Sequence, residues 1–271
     1  MSGDDHGLDA LARVVAASGG PPLDAYKDRC LRRRLAVRMR AVGVHTYGDY
    51  AAVLERAPDE LARLRDALSI SVTRFYRNAE AWDALRRRFL PTLVARSAAP
   101  VRAWSAGCAT GEEAYTLAML LLEAAEGAGR RGAGAVHVDA SDVDEPALAR
   151  LREGHYRADA LLELPPDLRA RWCRATAGGV AVEPALRQAV HPFVLDLARA
   201  PCPGTGYDLV ACRNVLIYFG RDLQERLFEA FARALRPGGL LVLGKVEAIS
   251  GPARHRFAVA DARERIYERK P

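Results

Sequence analysis

The stretch Val101–Leu122, VRAWSAGCATGEEAYTLAMLLL, constrains the fold of this chain more than any other. A short apolar run, Val101–Trp104, turns through Gly107-Cys108-Ala109-Thr110-Gly111. The segment that follows repeats apolar residues at helical spacing: Ala114, Leu117, Ala118, Leu121 and Leu122. Strand, glycine turn and helix form the first βα unit of a Rossmann-like sheet. Glycine suits such a turn because a side chain would hold the backbone away from a bound nucleoside. The glycines alone fit a tight turn with no ligand equally well.

Two features depart from a dinucleotide site. There is no Gly-x-Gly-x-x-Gly, and Glu112 and Glu113 stand where a pyrophosphate needs bare N–H groups. Anions there repel phosphate and suit a cationic ligand with hydroxyls to donate, and S-adenosylmethionine answers that description. The rest of the composition is ordinary for a globular protein. With 271 residues the chain accommodates two domains or one large one, and its net charge of +6 favours acidic partners without indicating nucleic acid. Five scattered cysteines, no Cys-x-x-Cys and no histidine cluster fit a reduced, cytoplasmic chain with no metal site. An acidic N-terminus (Asp4, Asp5, Asp9) carries no signal-peptide pattern, and no run approaches twenty uncharged apolar residues, so direct membrane insertion is not expected.

Residues 1–77 read as helices only. Leu8, Leu11, Val14 and Val15 share a face that ends at Gly19-Gly20-Pro21-Pro22. The next helix is strongly basic. Leu31, Leu35, Met39 and Val42 form a narrow apolar stripe, Arg29, Arg33 and Arg40 lie nearly opposite, and Arg34 and Arg38 fall between. Such a face is either solvated or a dock for an acidic surface. Helices over Tyr47–Leu54 and Asp59–Leu68 complete a small bundle. The string SISVTRFYR, Ser69–Arg77, then links to a helix over residues 80–95.

Past the glycine turn, residues 135–140 form a second strand ending in Ser141-Asp142, where an acid can accept hydrogen bonds from both ribose hydroxyls. Asp144 suits the N-cap of the following helix. Residues 164–192 break the pattern and predict a small β-hairpin insertion around Gly178-Gly179. Further strands are expected at 191–195, ending in Asp196, and at 207–212, ending in Arg213-Asn214. More follow at 240–243, 257–259 and 265–267. The pattern predicts an α/β fold with a parallel sheet covered on both faces. Gly107, Asp142, Asp196 and Asn214 follow four strands, so they should line one crevice.

SVTRFYR, WSAGCATGEEAY, SDVD, CRNVLIYF and LRPGG, with the Tyr26-Lys27 opening of the arginine-rich helix, resemble the chemotaxis-receptor glutamate methyltransferases, the CheR family. LRPGG is shared by many methyltransferases; CRNVLIYF with WSAGCATGEEAY is specific. The resemblance covers nearly the whole chain. It implies a Rossmann-like class I methyltransferase domain over 78–271, with the β insertion, after an all-α receptor-docking domain and linker over 1–77. It further implies transfer of a methyl group from S-adenosylmethionine to receptor glutamates, leaving S-adenosylhomocysteine. Carried over by position, Ser71, Thr73, Arg77, Gly107 and Glu113 contact the cofactor, Asp142 holds its ribose, and Asp196-Leu197 and Asn214-Val215 flank its adenine and methionine moieties. Arg77 and Tyr218 lie beside the transferred methyl. The charge imbalance on the arginine-rich helix predicts that Arg29, Arg33, Arg34, Arg38 and Arg40 dock the cytoplasmic helical domain of the receptor, and the chain is expected to act as a monomer with no nucleic-acid partner. Ser71, Asp196, Asn78 and Gly220 depart from frequent family residues: Asn for Ser71, Asn in some relatives for Asp196, Asp for Asn78 and for Gly220.

Without the resemblance, Arg77 reads equally as a structural ion pair and Tyr218 as a core aromatic. Two other functions share the crevice: a methyltransferase for another substrate, and a non-catalytic module that senses cofactor or binds receptor. Asn214-Val215-Leu216-Ile217 lacks the Asn/Asp-Pro-Pro-Tyr/Phe typical of amino-methylating enzymes. The receptor reading needs no general base, because a glutamate with a pKa of about 4.3 is already ionised at neutral pH.

Overall fold

The computed structural model describes residues 3–68, 73–98, 100–200 and 202–271. Its contacts divide the chain into two compact units, Met1–Ile70 with Tyr218–Gln224, and Ser71–Ile217 with Glu225–Pro271. The sequence predicts this division after residue 77, with residues 218–224 in the larger domain.

The first unit is helical: α1 (Gly3–Ala17), α2 (Asp28–Ala41), α3 (Tyr47–Arg56) and α4 (Pro58–Leu68). Their apolar stripes close on one core that includes Leu11, Val15, Leu31, Leu35, Tyr50 and Leu64. At the end of α1, Gly19 takes a left-handed φ of +73°. A Cβ on the next residue, Gly20, would stand 2.5 Å from a Val15 methyl. The glycine pair thus lets the chain fold back across its own helix. The Thr46 hydroxyl caps α3 by accepting the Asp49 N–H at 3.1 Å. The segment Tyr218–Gln224 is fastened to the entry of α2. Lys27 N–H donates to the Tyr218 carbonyl at 2.8 Å, Gly220 N–H donates to the Ala25 carbonyl at 2.8 Å, and the Tyr26 and Phe219 rings meet edge to face at 5.7 Å.

The larger unit opens with α5 (Ala79–Ala84) and α6 (Leu90–Arg96). The sequence predicts one continuous helix here, but a π turn, Leu85–Phe89, separates the two. Pro91 at the start of α6 has no N–H for the regular ladder, which accounts for the break. The chain continues through β1 (Val101–Ala106), α7 (Glu112–Gly127), β2 (Val136–Asp142), α8 (Glu145–Glu153) and β3 (His155–Tyr156). Next come α9 (Pro166–Trp172), β4 (Cys173–Thr176), β5 (Gly179–Val182), α10 (Pro184–Ala189), β6 (Val190–Val194) and β7 (Tyr207–Cys212). Helix α11 (Arg221–Ala234), of which residues 225–234 belong to this unit, β8 (Leu235–Leu243), β9 (Phe257–Asp261) and β10 (Ile266–Arg269) complete it.

Seven strands form the main sheet in the order β6-β2-β1-β7-β8-β10-β9. The first five run parallel, as predicted. The direction reverses at β10, which pairs antiparallel with both β8 and β9. Only four residues separate β9 from β10, too few for the crossover that parallel pairing requires. At the centre, every residue of β7 is buried, which fits its apolar run Leu209–Cys212. Its one charge, Asp208, is satisfied by the Arg102 N–H at 2.8 Å, the Ser97 hydroxyl at 3.1 Å and the Arg236 guanidinium at 2.5 Å.

The predicted insertion contains its hairpin, β4–β5, but gains a third strand from outside residues 164–192. The order is β3-β5-β4, all antiparallel. A two-stranded ribbon is marginal in water, and β3 covers the second edge of β5, whose Val180, Ala181 and Val182 are buried.

Candidate functional site at the strand ends

Because β6, β2, β1 and β7 are adjacent and parallel, their carboxyl ends lie side by side along one sheet edge. Asp196, Asp142, Gly107 and Asn214 follow those ends. The backbone ties them together: the Gly107 and Cys108 N–H groups donate to the Ser141 carbonyl at 2.8 and 2.9 Å, and the Leu195 N–H donates to the Asp142 carbonyl at 2.9 Å. Gly107 has a φ of +78°, and a Cβ there would stand 2.5 Å from a Val215 methyl. Glycine therefore serves the approach of Val215 as well as the turn.

Asp142 is oriented before any ligand arrives. Its Oδ2 accepts the Ala109 N–H at 2.8 Å and its Oδ1 accepts the Asp144 N–H at 3.0 Å. Each oxygen can accept one more donor, which is what a pair of vicinal hydroxyls supplies. Burial pushes its carboxyl above the usual range, opposed by those two N–H groups. Asp144 caps α8, accepting the Ala147 N–H at 3.0 Å. Asp196 accepts the Ala198 N–H at 2.9 Å and lies 3.6 Å from the Arg199 guanidinium, beside buried Leu197.

The two glutamates of α7 diverge. Glu112 turns to the Thr110 hydroxyl at 2.6 Å, and burial raises its carboxyl. Glu113 accepts the Ser105 hydroxyl at 2.9 Å and pairs at 3.5 Å with Arg213, whose side chain is only 2% exposed. The Arg213 guanidinium also stacks over Trp82 at 4.7 Å and donates to the Arg77 carbonyl at 2.8 Å. Burial raises the Glu113 carboxyl, against the attraction of Arg213 and the Ser105 hydrogen bond; Glu247 adds to the rise, and Arg77 opposes it. Burial likewise lowers Arg213, against the attraction of Glu113, and the like charge of Arg77 acts in the same direction as burial. Glu113 and Arg213 thus form a buried ion pair at the strand ends, with Arg77 and Glu247 near enough to act on its charges. Residues at this site therefore fit S-adenosylmethionine: carboxyls for its positive charge, Asp142 for its hydroxyls, and the Gly107 turn for close approach.

Arg213 and Glu247 are absent from the residues assigned by sequence. A signal for Arg213 existed, since a charge directly after the wholly apolar end of β7 demands a buried partner. Nothing around Glu247 marks it. Thr73 lines a cavity of about 380 Å³ with Thr110, Glu112 and Tyr156. Ser71 lies outside the described residues.

In the helical unit, Arg29, Arg33 and Arg40 are exposed on α2 as the periodicity predicts. Arg38 is turned inward onto Glu60, with hydrogen bonds of 2.9 and 2.6 Å, and Tyr50 donates to the same carboxylate at 2.8 Å. Arg34 donates to the Ala67 carbonyl and lies over the Tyr218 ring at 5.5 Å. Among the expected docking arginines, Arg34 and Arg38 are therefore committed within the unit. Tyr218, expected beside the methyl, is held in this unit by its backbone and by Arg34.

Among the described residues no helix is long and apolar enough to cross a membrane. The chain is 36% identical, over 96% of its length, to an uncharacterized 104.1 kDa protein in the hypE 3′ region of Rhodobacter capsulatus, of which it spans 27%. It is 31% identical to a chemotaxis protein methyltransferase of Listeria monocytogenes, covering 92% of each chain. To the chemotaxis protein methyltransferase of Klebsiella aerogenes it is 34% identical, covering 90% of this chain and 83% of the other. Residues 6–69 match the model of the CheR methyltransferase all-alpha domain, and residues 71–266 match that of the CheR methyltransferase SAM-binding domain. A strand-end crevice suited to S-adenosylmethionine, an all-helical unit before it and these matches lead to one conclusion: the chain belongs to the CheR methyltransferase family.

Proposed function

We propose that this protein methylates glutamate side chains on the cytoplasmic helical domain of chemotaxis receptors, in the cytoplasm, giving glutamyl methyl esters and S-adenosylhomocysteine. The observation that carries this reading is the row of Gly107, Asp142, Asp196 and Asn214 along four adjacent parallel strand ends, backed by the Glu113–Arg213 pair. When bound, S-adenosylmethionine supplies an electrophilic methyl on a sulfonium. The chain's own residues position the partners. Asp142 accepts hydroxyl hydrogen bonds, and Glu113 sets the charge of the crevice. Arg77 grips a carboxylate, and the Tyr218 hydroxyl steers one oxygen of the incoming glutamate; these two roles rest on the SVTRFYR and CRNVLIYF motifs. Because the nucleophile is ionised at neutral pH, catalysis reduces to holding oxygen, methyl and sulfur in line and removing water from the carboxylate. Arg29, Arg33 and Arg40, exposed on α2, supply the positive face for an acidic receptor helix.

The test is incubation with labelled S-adenosylmethionine and cytoplasmic receptor domains, followed by mild alkali. A base-labile label on the receptor is expected, since methyl esters hydrolyse and methylamines do not. Tyr218→Phe should lower turnover while leaving product affinity and melting temperature unchanged. An alkali-stable label, or none, would refute the assignment.

A further inference from the structure

Glu247 is buried, with 4% of its surface exposed, in the loop that follows β8. Its carboxylate collects three backbone N–H groups. Oε2 accepts from Gly244 at 2.7 Å and from Asn214 at 2.9 Å, and Oε1 accepts from Ile217 at 3.3 Å. Asn214 follows the neighbouring strand β7 and has a φ of +61°, in the left-handed region that few residues other than glycine adopt. Such a conformation persists only where its surroundings hold it. Here one carboxylate bridges the ends of two adjacent strands and holds both ends of the segment Asn214–Ile217.

Gly244 belongs to the same arrangement. A Cβ there would stand 2.7 Å from Glu247 Oε2, 2.9 Å from the Asn214 nitrogen and 3.0 Å from its side-chain amide. Either the carboxylate or the turn would have to move. Within that turn, Val215 packs where a Cβ on Gly107 would sit, so a shift at Asn214 passes directly to the glycine turn.

We infer that Glu247 is a positioning residue for the cofactor: through the N–H groups of Asn214, Gly244 and Ile217 it sets the turn that presents Asn214 and Val215 to the crevice. The inference rests on the proposed reading of that crevice as the S-adenosylmethionine site. Two variants of the full chain test it by different routes. Glu247→Gln replaces one acceptor oxygen with a donor, whereas Gly244→Ala keeps the carboxylate and displaces it. S-adenosylhomocysteine is titrated calorimetrically into each, and amide hydrogen exchange is followed over residues 207–217 and 244. In both variants Kd is expected to rise about tenfold or more, the scale of a lost hydrogen bond to a charged group. Protection should fall at Asn214, Ile217 and Gly244 while the β7 amides stay protected. Wild-type affinity in a folded Glu247→Gln variant would overturn the inference. So would weakened binding accompanied by lost protection throughout β7, since Glu247 would then be purely structural. Failure of the unaltered protein to bind S-adenosylhomocysteine would instead overturn the reading of the crevice itself.

Discussion

Replacing Arg213 with methionine tests the charged centre of the crevice. The change keeps an unbranched apolar stem but removes a guanidinium whose side chain is 2% exposed, leaving Glu113, whose side chain is 10% exposed, without its cation. The ion pair at 3.5 Å, the hydrogen bond to the Arg77 carbonyl at 2.8 Å and the stacking on Trp82 at 4.7 Å are lost together. Removing one partner of a buried pair costs about 3–5 kcal/mol, because the remaining charge is uncompensated. A domain of 150–250 residues loses roughly 2–4 °C of Tm per kcal/mol, so a fall of roughly 6–20 °C is expected. The deficit should also depend on pH. Burial already raises the Glu113 carboxyl, and Arg213 is the main force opposing that rise. A carboxyl raised on folding stabilises the folded state when protonated; that contribution is complete below its unfolded value of about 4.3 and is lost as pH rises through the folded value. The variant's deficit should therefore be largest at neutral pH and shrink as the pH falls. Urea unfolding followed by tryptophan fluorescence reads this directly, since Trp82, Trp104 and Trp172 all belong to the larger unit. A deficit under about 1 kcal/mol, typical of exposed pairs, or one equal at neutral and acid pH, would refute the argument.

Other perturbations separate the remaining roles. Asp142→Ala should remove one or two charge-assisted hydrogen bonds to the cofactor, about 1.5–3 kcal/mol, or roughly tenfold or more in affinity; unchanged calorimetric binding by a folded variant would remove Asp142 from the site. Arg38→Ala should destabilise the helical unit by about 1.5–3 kcal/mol, because Glu60 is buried and bonded in bidentate fashion. Burial pushes the Glu60 carboxyl up, but the hydrogen bonds from Arg38 and Tyr50 outweigh it and hold the carboxyl below its ordinary value. That stabilisation is present above about pH 4.3 and is lost as pH falls through the lowered value, so circular-dichroism melts should show the Arg38→Ala deficit vanish in acid. Arg33→Glu with Arg40→Glu should raise KM for receptor, more at low salt than at high, with kcat and cofactor affinity unchanged; a wild-type KM would make that face merely solvated.

How much of the site was legible depended on how local its cause was. The glycine turn, the N-cap at Asp144 and the buried run of β7 each follow from a few consecutive residues whose chemistry permits little else. Strand alternation with helices then placed Gly107, Asp142, Asp196 and Asn214 on one sheet edge, because parallel neighbours share the direction of their carboxyl ends. Even the exposed and inward faces of α2 followed from the 100° turn per residue, except that the angle could not say what lay opposite Arg38.

Tertiary structure alone decided the pairings. Arg213 meets the Arg77 carbonyl across 136 residues of sequence, Asn214 meets Glu247 across 33, and Arg38 finds Glu60 across 22. No periodicity encodes such partners, since a buried charge or N–H specifies that it must be satisfied but not by which residue. The same holds for Tyr218. Its motif implies a place beside the chemistry, and its contacts with Lys27 and Arg34 join segments nearly two hundred residues apart in sequence. Local sequence determined which groups would be presented at each strand end, and the packing of distant segments determined which of them are held, neutralised or left able to accept a ligand.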